Sequence, residues 1–203
     1  MSKAELKVTV FSDYICPFCY VGDARLNRLR ASYDLKVNWC FLEIHPETSA
    51  QGEPVSSLSY PAETWQRMMA TLRRMAEEEQ LTLRDHDFTT NSRAALQLAE
   101  AAKQMGAGVF YHLHAALFQA FFCEGRNIGD PDCLRELAIA AGMSDAQIAS
   151  AWQDAAVNQR LQKYLRAARE LRVQATPTFF IGERRLDGAV PFDQLADAAQ
   201  AAF

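Results

Sequence analysis

Leu6-Lys7-Val8-Thr9-Val10-Phe11-Ser12-Asp13-Tyr14-Ile15-Cys16-Pro17-Phe18-Cys19 is the stretch on which the fold of this chain turns. Its first six residues are β-branched and alternate in polarity, the pattern of a half-buried strand. Ser12, Asp13 and Tyr14 end that pattern. From Cys19 to Tyr33 the chain reads as a helix, with Val21, Leu26 and Leu29 apolar among Arg and Asn. Pro17 suits the first turn of that helix, where its missing N–H is not needed. Leu35 to Ile44 is a second strong strand. The opening is therefore strand, helix, strand, with Cys16 at the strand-to-helix turn.

Working outward, His45 to Tyr60 is rich in Pro, Gly and Ser and reads as a loop. Helical segments follow. Pro61 to Glu79 carries Trp65, Met68, Met69, Leu72 and Met75 at helical spacing. Ser92 to Met105 and Val109 to Phe122 are separated by Gly106-Ala107-Gly108. Asp130 to Ala141 opens on an acidic cap with Pro131 just inside it. Ser144 and Gln147 form a capping-box pattern, and Asn158 to Leu171 is again helical and basic. Strand character returns at Thr178-Phe179-Phe180-Ile181 and Arg184-Arg185-Leu186-Asp187, joined by Gly182-Glu183 as a hairpin. Pro191 to Ala202 closes the chain as an amphipathic helix. The expected fold is α/β: the βαβ…ββα order, with the cysteine pair at its first turn and a proline before the late strand, resembles the thioredoxin-like fold with a large all-helical insertion between strands two and three. Residues 1–60 and 172–203 would form the thioredoxin-like domain and residues 61–171 the inserted helical domain.

Composition narrows the function. Among 203 residues, 49% are hydrophobic, 23% are charged, and the net charge is −4. There is no basic stripe for nucleic acid and no apolar run of the roughly 20 residues that a membrane helix needs. Met1 to Leu6 is polar and shows no signal-peptide pattern, so the expected location is the cytoplasm. Five cysteines, an odd number, do not suggest a disulfide framework there.

The chemistry is expected at Cys16-Pro17-Phe18-Cys19. Cysteines three apart in a first helical turn meet the Cα separation of roughly 4.4–6.8 Å that a disulfide requires. The unpaired N–H groups and positive end of the helix favour a thiolate at Cys16. Cys19, further into the helix, would be more buried and would resolve. The competing reading is half of a zinc site, but no second C-x-x-C exists, and His112 and His114 are only two apart. Asp13 and Glu43 are candidate proton-transfer carboxylates near the cysteines, against the commoner roles of a solvated or capping acid. Cys40 reads as a buried thiol, and Cys123 and Cys133 as independent thiols at either end of a loop. Phe110, Leu113, Leu117, Phe118, Phe121 and Phe122 form a stripe that is mostly core, part of it able to line an apolar groove. Arg166, Arg169 and Arg172 read as a solvated helix face.

Val8 to Phe11, Asp13 to Gly22, Asn91-Ser92-Arg93-Ala94, Ala175-Thr176-Pro177-Thr178-Phe179-Phe180-Ile181 and Leu186-Asp187-Gly188-Ala189 together resemble the DsbA family of thiol–disulfide oxidoreductases, and more closely its cytoplasmic FrnE-like branch. The resemblance implies that Cys16 attacks and carries the mixed disulfide, and that Cys19 resolves it. It implies that Thr176 and a cis Pro177 shape the substrate groove with Pro17 and Phe18, although a trans proline opening an edge strand would read the same way locally. Phe18 replaces the His found between the cysteines of periplasmic DsbA, which implies a less oxidising pair. The implied cofactors are none beyond the Cys16–Cys19 pair itself, with glutathione a candidate co-substrate and no metal. The implied partners are thiol- or disulfide-containing proteins or small thiols, acting on a monomer or a homodimer. Kappa-class transferases and 2-hydroxychromene-2-carboxylate isomerases look like the same scaffold with a single Ser where Cys16 stands, so a glutathione-dependent isomerase or transferase is the alternative. A redox-inert chaperone using the apolar groove comes third.

Overall fold

The computed structural model describes residues 3–84 and 87–203. Met1 and Ser2, part of the polar N-terminal segment, lie outside them. Strand β1 (Ala4–Ser12) enters helix α1 (Pro17–Arg28), which leads to strand β2 (Tyr33–Phe41). The late hairpin is β5 (Thr178–Ile181) and β6 (Arg184–Asp187), followed by α8 (Phe192–Gln200). The four strands form one sheet in the order β2-β1-β5-β6. β1 and β2 run parallel, and the other two pairings are antiparallel.

Alternation in β1 fixes which face is buried. Leu6, Val8 and Val10 point into the main core, with Leu35, Trp39 and Phe41 of β2 beside them. Phe11 and Cys40, paired in register, face the other way and pack on Ala168. That second face is covered there by α7 (Ala155–Glu170) and open where Lys7, Lys36 and Asn38 stand.

Between the two halves of the sheet lie α2 (Ala62–Glu78), α3 (Arg93–Ala102), α4 (Ala107–Phe122), α5 (Pro131–Ala140), α6 (Asp145–Gln153) and α7. Helices α3 to α7 share one hydrophobic core with the sheet, Leu96, Leu113, Leu117 and Phe118 belonging to the same cluster as Val8, Val10 and Leu26, whereas Leu72 of α2 packs in a separate cluster with Val21 and Ala189. Caps mark the helix starts as the residues require. Asp130 accepts from the Asp132 N–H, and Ser144 and Gln147 form a reciprocal capping box.

The structure corrects the expected elements in four places. The first helix stops at Arg28 and tightens into a 3₁₀ turn over Leu29–Ala31, because Tyr33 already belongs to β2. β2 ends at Phe41, three residues before Ile44. Beyond Phe41 the Leu42 N–H still reaches the Ser12 carbonyl, but the Ile44 N–H turns to the Asp13 carboxylate. The segment read as a loop contains β3 (Glu53–Pro54), which pairs with β4 (Phe88–Thr89). The insertion is therefore not all-helical. Finally, α4 begins at Ala107, inside the glycine pair read as a separator.

Candidate active site

Cys16 is the N-cap residue of α1, in extended conformation (φ −85°, ψ 112°), with Pro17 at the first helical position. Its carbonyl accepts the first helical hydrogen bonds, from the N–H groups of Cys19 (2.9 Å) and Tyr20 (3.3 Å). Both cysteines are buried, Cys16 at 5% and Cys19 at 1% exposure, and all five cysteines are free thiols. A hydrogen bond from the Cys19 thiol holds the Cys16 pKa below its ordinary value. The Thr176 side chain and the Cys19 backbone N–H add to that, while burial and the charge of Asp13 oppose it. Burial, followed by the bond to Cys16, pushes the Cys19 thiol well up. One sulfur is thus prepared as the anion and the other kept as the proton donor.

The segment before β5 lies against this turn. The Thr176 carbonyl is 3.3 Å from Cys16 Sγ, and the Thr176–Pro177 peptide is cis. Gly22, one turn after Cys19, lets the proline approach. A Cβ there would fall 2.8 Å from Pro177 Cγ and 3.1 Å from Phe179 Cζ. The Pro177 carbonyl accepts from Gly188 at 2.7 Å, and Thr178 Oγ1 donates to the Ala175 carbonyl at 2.8 Å, fixing the loop on both sides.

Asp13 is fully buried beneath the turn. Its carboxylate accepts from the Ile44 N–H and Ser92 Oγ, each at 2.9 Å, and from the Ile15 N–H at 3.4 Å. Burial outweighs these bonds and raises its pKa to about 7. Glu43 is held by residues at the start of α3. It accepts from Asn91 Nδ2 (2.9 Å) and pairs with Arg93 Nη1 (3.2 Å), and its charge adds to the lift on Asp13. Ser92 had only its place in a resembling segment to mark it, since nothing local shows that a serine before a helix serves an acid on another element.

Pro17, Phe18 and Thr176 border a groove of about 380 Å³ that opens beside Cys16. Its far wall is Trp65, Met68, Met69 and Leu72 of α2, with Phe121 and Phe122 of α4 below. Pro177 stands behind the groove, on Gly22. The helical spacing of the α2 methionines does not by itself reveal a groove wall, and part of the phenylalanine stripe does double duty as core and groove floor. The remaining thiols stand apart: burial raises Cys40 to about 11, and Cys123 Sγ sits 3.3 Å from Tyr20 Oη. His112 is exposed and His114 buried, on different faces of α4; Tyr14 Oη is 2.8 Å from His114 Nδ1. Among the described residues there is no metal-binding cluster of His, Cys, Asp and Glu, and no helix is long and apolar enough to cross a membrane.

The uncharacterized protein YwbO of Bacillus subtilis (strain 168) is 33% identical to this chain over 192 residues, with 92% of each covered. The SCO1869 protein of Streptomyces coelicolor, described as a probable DsbA oxidoreductase, has a crystal structure that superposes with a TM-score of 0.85. The two are 25% identical, over 97% of this chain and 89% of that one. A 2-hydroxychromene-2-carboxylate isomerase superposes with a TM-score of 0.74 at 18% identity, over 96% and 95% of the two chains; that likeness speaks for the fold alone. Residues 7–200 match the model of a DSBA-like thioredoxin domain, a span running from β1 to the end of α8. With the thiol pair at the start of α1 and the proline loop laid against it, this chain belongs to the DSBA-like thioredoxin domain family.

Proposed function

We propose that this protein exchanges disulfides with thiol- or disulfide-containing substrates through Cys16 and Cys19, in the manner of the FrnE-like branch and in the cytoplasm. The observation that carries the reading is the asymmetry of the pair: a sulfur at the helix N-cap with its pKa lowered, hydrogen-bonded to a deeper thiol with its pKa raised. In the reducing direction the Cys16 thiolate attacks one sulfur of a substrate disulfide. The substrate S–S bond breaks, its other sulfur leaves as a thiolate, and a mixed disulfide remains on Cys16. Cys19 then loses its proton and attacks Cys16 Sγ. The substrate leaves as a second thiolate, and two electrons have passed from the protein dithiol to the substrate.

Asp13, with a pKa of about 7, is the candidate carrier of the Cys19 proton at neutral pH. Glu43 acts on it by charge. Thr176 offers backbone beside the sulfur, and Pro17 and Phe18 form the near edge of the groove. The pair itself stores the electrons, so no bound cofactor or metal enters the cycle; glutathione serves as co-substrate for recycling. Two vicinal thiols favour this reading over the glutathione-dependent isomerase alternative, which needs one reactive group.

Insulin reduction followed by turbidity, in the presence of dithiothreitol, tests the proposal. Cys16→Ser is expected to bring the rate to the uncatalysed background. Activity unchanged in Cys16→Ser, or glutathione-dependent isomerase activity that survives Cys19→Ala, would defeat it.

A further inference from the structure

The groove beside Cys16 is almost uniformly apolar. Among the described residues that line it, Arg84 is the one formally charged side chain and none is a carboxylate. The other base there is His45, whose pKa is lowered by burial, so it is neutral at pH 7. A lone cation on an apolar wall is informative only if it is held, and Arg84 is held. Its backbone N–H donates to the Phe122 carbonyl at 2.8 Å, and its side-chain Nη1 donates to the Glu124 carbonyl at 3.0 Å. Its guanidinium lies across Gly125, where φ is +68° and a Cβ would come within 3.0 Å of Nη1 and 3.2 Å of Cζ. Glycine is required there twice over, for the backbone angle and for the room. The acceptor of the guanidinium bond is a neutral carbonyl. The Glu124 carbonyl orients the guanidinium, and among the described residues no carboxylate pairs with it, on a planar fork suited to a carboxylate.

We propose that Arg84 anchors a carboxylate of the substrate, so that the groove selects small disulfides and thiols that join an apolar body to an acid group. The inference rests on the Cys16–Cys19 exchange reading and names its substrate class. A volume of about 380 Å³ sits in the range of small-ligand sites. Trp65, stacked on Tyr60 with ring centroids 6.0 Å apart, supplies a flat aromatic wall for the apolar body. The electron and proton balance is that of the exchange described above, with the carboxylate remote from the bonds that form and break.

The experiment compares reduced wild-type protein with Arg84→Gln in single-turnover reaction with two aromatic disulfides. One is 5,5′-dithiobis(2-nitrobenzoate), which carries carboxylates; the other is neutral 2,2′-dithiodipyridine. Arg84 is solvent-exposed, so the pull is that of a screened ion pair, equivalent to about fivefold in rate at low salt. Arg84→Gln is expected to slow the anionic probe about fivefold and the neutral one less than twofold, with the difference erased in about 0.5 M salt on Debye screening. Arg67→Gln, on the exposed α2 surface outside the groove, is expected to change neither. If Arg84→Gln moves both probes alike, or if Arg67→Gln slows the anionic probe as much, the anchor is overturned and the exchange reading stands. If neither probe is reduced through Cys16, the exchange reading falls and takes the anchor with it.

Discussion

Gly22 shows how much of the site depends on one absent methyl. The hydrogen on its Cα is what allows Pro177 to rest against α1, since a Cβ would sit 2.8 Å from the proline ring. Gly22→Ala is expected to destabilise the protein by about 1–3 kcal/mol through overpacking, read by chemical denaturation. It should also slow disulfide exchange, because Thr176 would be lifted from Cys16. Asp13 makes a different statement at the same scale. Its folded pKa of about 7 lies above the unfolded value near 3.8, so the folded state binds this proton more tightly. The stability that this proton confers is complete below about pH 4 and lost as pH rises to about 7. Between pH 5 and pH 8 the loss amounts to about 2–3 kcal/mol by linkage. Asp13→Asn is expected to remove that slope. Denaturation of both proteins at the two pH values checks it, and an equal slope in the variant would contradict the burial argument.

At the level of elements, the attachment of α2 matters most for the groove, and a single arginine makes it. The Arg25 side chain is 2% exposed on α1, yet it donates to Glu78 Oε2 (2.6 Å), Glu79 Oε1 (2.9 Å) and the carbonyls of Ala189 (2.7 Å) and Val190 (3.0 Å). It ties the end of α2 and the approach to α8 to the helix that carries the cysteines. Arg25→Ala would leave Glu79, only 8% exposed, with the exposed Arg28 as its remaining ion-pair partner among the described residues, and would take the donor from the Ala189 and Val190 carbonyls. The expected cost is about 1–3 kcal/mol, measured by denaturant unfolding; a loss below about 0.5 kcal/mol would mean that water replaces the guanidinium. Periodicity cannot reveal such a residue. An arginine among helical arginines reads as surface, and only the fold shows that its partners lie 53 and 54 residues away. The same limit explains the end of β2. Leu42 to Ile44 has strand composition, but a buried carboxylate outcompetes a neighbouring strand for the Ile44 N–H.

Across the whole molecule, what the sequence made legible was local chemistry: a strand, a thiol turn, a helix, and a proline before a strand. Those are short-range patterns, and each carries its own physical signature. The groove was not legible, because its walls come from α1, α2, α4 and the 174–176 segment, brought together only by folding. Nor was the link by which Ser92, at the start of α3, reaches the acid below the active turn. The inserted helices thus do more than cover the site; they supply a wall, a floor and a hydrogen bond to its buried carboxyl. The central claim is that Cys16 is the reactive anion and Cys19 its protected partner. Alkylation of the reduced protein by iodoacetamide as a function of pH, with the modified residue located by mass spectrometry, tests it most directly. Cys16 is predicted to react first, with its rate reaching half-maximum below pH 9, while Cys19 stays unmodified. Modification of Cys19 ahead of Cys16, or a Cys16 midpoint above pH 9, would contradict the account.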